Sequence, residues 1–172
     1  MTTVRMIYDW LDGWAPFAAA MSFDNAGLLA GSGEESVSAA LLALDITPAV
    51  VEEAKEAGAQ LIVSHHPVIF DPLRRLVPGS APYLLCEAGI AAICAHTNLD
   101  LAPGGVNTCL AERLGLSRVR PLSLDGPSGL PESLCGELPS PLSPEAFARH
   151  VKKALGCEAV EFTPGAGEIR TV

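Results

Sequence analysis

Residues 39–66, AALLALDITPAVVEEAKEAGAQLIVSHH, decide the fold. The run AALLALDI at 39–46 is short and unbroken in its apolar character, which suits a strand buried on both faces in a parallel sheet. Thr47 and Pro48 then have the chemistry of an N-cap and a first helical residue, and Gly58 stands where a glycine ends a helix. Leu61-Ile62-Val63 reads as a second short strand, which ends at Ser64 and carries His65 and His66 into the loop beyond.

Working outward, residues 3–14 predict a helix with Val4, Ile7, Tyr8 and Leu11 on one stripe. A helix over 81–88 precedes a third strand, Ile90 to Ala95, that delivers His96 as its predecessor delivers His65 and His66. Both histidine groups thus leave strands at the carboxyl end, the edge of an open α/β sheet where ligands bind. The predicted fold class is α/β, a layered α/β/α sandwich around a largely parallel sheet. Residues 1–120, with a helix near 105–114, form its first half and carry the polar motifs. Residues 121–142, rich in Pro, Ser and Gly, read as a connecting segment with a short strand around Cys135 to Leu138. Residues 143–172 start a second half: a helix opens at Ser143-Pro144 and closes before Gly156, and a strand follows from Ala159 to Phe162. That last strand needs sheet partners which this stretch hardly supplies.

Composition narrows the partners. The formal charge is −9, so nucleic acid and anionic membranes are repelled, and no basic cluster beyond Arg74-Arg75 compensates. No apolar run reaches the roughly 18 residues of a membrane span. The start, MTTVRMIYDWLDGWAP, lacks the basic, apolar and small-residue regions of an export signal. The five cysteines are odd in number and scattered without C-x-x-C spacing, which predicts free, mostly buried thiols in a reducing compartment. A cytoplasmic protein is expected.

Three segments carry chemistry. In LIVSHHPVIF, two adjacent histidines leaving a buried strand cannot both pack against the core, and neutral imidazole is a common ligand for transition metals. The pair also fits a solvent-facing or hydrogen-bonded role. In AAICAHTNLDLAPGGVN, His96 follows a strand and Asp100 lies four residues on; imidazole and carboxylate together suit Zn, Mn, Fe or Ni. Asp100 is equally at home as a turn aspartate, and His96 as a histidine held by Thr97 or Asn98. In MSFDNAGLLAG, Asp24 and Asn25 precede a Gly27 suited to a tight turn; beside the histidines, Asp24 would orient a ligand imidazole from behind.

Together, DNAGLLAG, SHHPVIF and AHTNLDLAPGGVN resemble the Nif-three-like dinuclear-metal family, whose bacterial members are called GTP cyclohydrolase type 2 homologues. The resemblance runs from about residue 4 to the last residue and takes in ALDITPAVVEEA and GELPSPLSPEAFARHVKKALG. It implies a two-half architecture, two divalent metal ions with His65 and His66 each on one of them, and Asp100 as a further ligand. His96 matches a histidine at the edge of the site, and a proton-transfer or orienting role for it is inferred. The family completes its centre with a histidine and a glutamate from a later segment that has no counterpart before Val172. Each missing anionic ligand leaves cation charge uncompensated, so three of about five protein ligands predict weak or water-completed metal binding.

The implied function is a metal-dependent hydrolase acting on GTP, another nucleotide or a phosphoester, with a small molecule as its partner. The competing expectation is a non-catalytic metal-binding scaffold or regulatory interaction protein. The resemblance also implies a homo-oligomer, a trimer or a hexamer.

Overall fold

A computed structural model describes residues 1–122 and 129–172. The chain forms two compact units, Met1–Ala102 and Pro103–Val172. The first contains helix α1 (Val4–Trp14), strands β1 (Gly27–Ala30) and β2 (Ala40–Ala43), helix α2 (Pro48–Glu56), strand β3 (Leu61–Ser64), helix α3 (Ala81–Ala88), strand β4 (Ala91–Cys94) and the short helix α4 (Thr97–Leu101). Its four strands lie in the order β1-β4-β3-β2, with β2, β3 and β4 parallel and β1 antiparallel to β4.

Strand alternation explains the layers. Ile62 and Ala92 point to one face and meet Val51 and Ala54 of α2 and Leu85 of α3. Leu61, Ala91 and Ile93 point to the other and meet Val4 and Leu11 of α1. The α/β/α sandwich is therefore present in the first unit. The caps are as the sequence predicts: Thr47 Oγ1 accepts from Val50 N–H with Pro48 behind it, an arrangement that contributes about 1 kcal/mol. Gly89, in left-handed backbone at φ 65°, ends α3.

Several expectations change. The run at 39–46 is not buried on both faces: β2 is the sheet's edge, and Leu42 and Leu44 stay 77% and 61% exposed. An apolar run marks a strand but not its place in the lateral order. Gly27, at φ 121°, opens β1 instead of making a tight turn. Of the cysteines, only Cys94 and Cys135 are buried, while Cys86 and Cys109 are exposed; all five are free.

The second unit contains α5 (Val106–Arg113), β5 (Ser117–Pro121), β6 (Leu134–Leu142), α6 (Pro144–Leu155) and β7 (Ile169–Thr171). Residues 103–120, expected with the first half, fold here, because β5 pairs with β6. Of the expected connecting segment 121–142, residues 123–128 lie outside the described residues, and 134–142 is the long strand β6. No strand forms at Ala159 to Phe162, a stretch that runs into Pro164 and Gly165; β6 is instead paired by β5 on one side and β7 on the other. Residues 117–121 and 169–171 are thus the sheet partners in this unit. Among the described residues, no helix is long and apolar enough to cross a membrane.

Candidate metal centre

Parallel pairing builds the site. The registers Ala43↔Ser64 and Ser64↔Cys94 continue beyond the strands, since His65 N–H donates to Ala43 O, His66 N–H to Leu44 O and Ala95 N–H to Ser64 O. Carried two residues on, the same register sets Asp45 beside His66 and His66 beside His96. The antiparallel register Gly27↔Cys94, carried outward, sets Asp24 opposite Thr97. Four neighbouring strand ends therefore contribute side chains to one place.

His65, His66 and His96 converge. One ring nitrogen from each lies within 4.8 Å of the others, and the ring centroids are 5.1 to 5.6 Å apart. Each Nδ1 has an acceptor: His65 donates to Ala95 O at 3.0 Å, His66 to Asp45 Oδ1 at 2.8 Å and His96 to Asp24 Oδ1 at 2.9 Å. A carbonyl or carboxylate oxygen can only accept, so in the neutral form of each ring Nδ1 carries the proton and Nε2 the lone pair. Metal-ligating histidines are held in this way, with the far nitrogen tied to a carboxylate or backbone carbonyl.

Asp100, in α4, places Oδ1 3.6 Å from His65 Nε2. That is too long for a hydrogen bond, whereas two ligands each about 2.1 Å from one tetrahedral ion sit roughly 3.4 Å apart. Asp100 is not one of the group of three that converges, and the His65/His66/His96 cluster can bind a metal.

Asp24 is the most built-in member. Its side chain is fully buried. Burial alone would raise its carboxyl, but hydrogen bonds from Thr97 Oγ1, His96 Nδ1 and the backbone N–H groups of Thr97 and Asn25 outweigh that and hold it below its ordinary value. Asn98, also buried, accepts from His96 N–H through Oδ1 and donates through Nδ2 to Ala15 O, anchoring the start of α4. Asn25 reaches no histidine; its Nδ2 donates to Ile69 O at 2.6 Å and ties down the loop beyond His66. Cys94 donates to His65 O, and burial pushes its thiol up to about 12, so it is a neutral thiol in the metal-free chain.

The reading of the sequence missed Asp45. The signal was the one used for the histidines, a polar residue just past the carboxyl end of a buried-type strand, and it was not applied to LDIT. His150, by contrast, belongs to the second unit, where its Nε2 donates to Leu114 O.

A family model described as Duf34/NIF3 (NGG1p interacting factor 3) matches residues 2–172. The chain belongs to this family. Among Duf34/NIF3 relatives, a Halalkalibacterium halodurans protein named GTP cyclohydrolase 1 type 2 homolog is 40% identical over 123 residues, covering 69% of this chain and 33% of its own length. A Staphylococcus aureus protein of the same name is 44% identical over 112 residues, covering 63% and 31%. The chain spans about a third of the length of the curated relatives it matches. The crystal structure of the Staphylococcus aureus hypothetical protein SA1388 superposes with a TM-score of 0.90 at 29% identity, over 98% of this chain and 70% of that one. Reduced HcgD from Methanocaldococcus jannaschii, also 29% identical, gives 0.74 over 88% and 60%.

Proposed function

We propose that this chain carries part of a dinuclear metal centre in a hydrolase that acts on a nucleotide or another phosphoester. The observation that supports it is the convergence of three imidazoles whose Nδ1 atoms all meet acceptors, with Asp100 Oδ1 3.6 Å from His65 Nε2. His65, His66 and Asp100 hold the cations in this reading. A pair of divalent cations, when bound, supplies Lewis-acid polarisation and a water acidic enough to attack near neutral pH. His96 takes the proton at Nε2 and returns it to the leaving group, while buried Asp24 keeps the ring oriented and stabilises its protonated form.

The test is turnover of GTP and of p-nitrophenyl phosphate by the chain purified without an affinity tag, alongside elemental analysis. Stoichiometric metal with turnover that vanishes in His66→Ala supports the reading; His96→Ala is expected to keep the metal and lower kcat by about 100-fold. A chain that takes up no metal from excess Zn or Mn overturns it. The family description, an interacting factor, motivates a second reading as a metal-holding scaffold, which gives metal but no turnover to lose. We further place the protein in the cytoplasm, consistent with five unpaired thiols, and as a homo-oligomer, trimer or hexamer; a monomeric mass by light scattering overturns the assembly.

A further inference from the structure

The three imidazoles are held by three different kinds of acceptor. His65 leans on a neutral backbone carbonyl, His96 on a buried carboxylate with four donors, and His66 on Asp45, an aspartate 57% exposed at the end of the edge strand. We propose that Asp45 is a positioning residue for His66: its carboxylate fixes the proton on Nδ1 and thereby presents the Nε2 lone pair to a divalent cation. The proposal rests on the reading of the cluster as a metal centre.

Geometry carries it. Asp45 Oδ1 lies 2.8 Å from His66 Nδ1, a charge-assisted hydrogen-bond length. The contact is enforced by the sheet, because the β2–β3 register makes the two residues lateral neighbours and His66 N–H is itself tied to Leu44 O, one residue before Asp45. The pair is poorly placed to stabilise the fold. Asp45 is 57% and His66 45% exposed, and exposed ion pairs contribute little because water competes for both partners. A function at the ring is what remains. A neutral imidazole in water favours the proton on Nε2, which would aim a proton at the cation instead of a lone pair. An acceptor on Nδ1 reverses that preference, and a charged acceptor also makes Nε2 a better donor. His66 is the most exposed of the three rings, so it most needs such a hold: water can solvate either of its nitrogens, whereas His65 and His96 are shielded to 22% and 19% exposure.

Two measurements on the full chain test this, with Asp45→Ala and Asp45→Asn as the variants. Nitrogen–proton correlation spectra of the metal-free protein, taken where the rings are neutral, read the His66 tautomer directly. Wild type is expected with the proton on Nδ1. Asp45→Ala shifts His66 toward Nε2–H, and Asp45→Asn keeps it on Nδ1 because the amide oxygen still accepts. Titration with Zn or Co then reads affinity: Asp45→Ala weakens it by about 10- to 100-fold, and Asp45→Asn recovers most of the loss. An unchanged tautomer in Asp45→Ala, an unchanged affinity, or an Asp45→Asn as weak as Asp45→Ala each overturns the proposal. These failures are separable from failure of the metal reading, which shows as a wild type that takes up no cation at all.

Discussion

The β4 end and the β2 end of the centre use the same contact, a carboxylate on an imidazole Nδ1, in opposite surroundings. At the β4 end, Asp24 is fully buried and accepts from Thr97 Oγ1, Thr97 N–H, Asn25 N–H and His96. At the β2 end, Asp45 is exposed and its recorded partner is His66. The difference teaches that one bond length does not imply one energy. Removing Asp24 strands several donors in the interior, and each buried donor left without an acceptor costs about 1 to 3 kcal/mol. Removing Asp45 gives its donor back to water.

The strongest way to break this contrast is Asp24→Ala, expected to lower unfolding stability by about 3 kcal/mol in urea denaturation. A loss below about 1 kcal/mol would mean that the β4 end is no more structural than the β2 end. Asn98→Ala should cost about 2 kcal/mol by the same measurement, since it orphans the buried contacts to His96 N–H and Ala15 O. Acidification sharpens the contrast in a milder way. The Asp24 carboxyl lies below its ordinary value of 3.8 when folded. The stability it adds is therefore fully present above that value and is lost as the pH falls through the lower, folded one. Denaturation midpoints recorded down that range should fall more steeply in wild type than in Asp24→Asn, and parallel curves would refute the claim. The smallest effect belongs to Asp45→Ala, expected to change stability by no more than about 0.5 kcal/mol while it weakens cation uptake.

Much of this was legible in the sequence. Period and length mark β3 and β4, and the polar residues just past them include the three histidines of the cluster; Thr47-Pro48 and Ser143-Pro144 announce α2 and α6. Lateral order was not legible. Nothing local in ALLA at 40–43 says that the strand lies at an edge, so its exposed Leu42 and the neighbourhood of Asp45 with His66 stayed hidden. GLLA at 27–30 is short and opens on a glycine in left-handed backbone, so its antiparallel pairing with β4 comes only from long-range contacts. The same holds for residues 117–121, whose strand forms around partners at 134–142.

The hydrogen bonds that shape the centre join residues 21, 30 and 72 positions apart. Local chain segments cannot assemble even one held imidazole, so an unfolded or half-formed chain offers cations only scattered, weak donors. Ion capture would therefore discriminate finished from unfinished molecules, and its free energy would add to global unfolding rather than to local fraying.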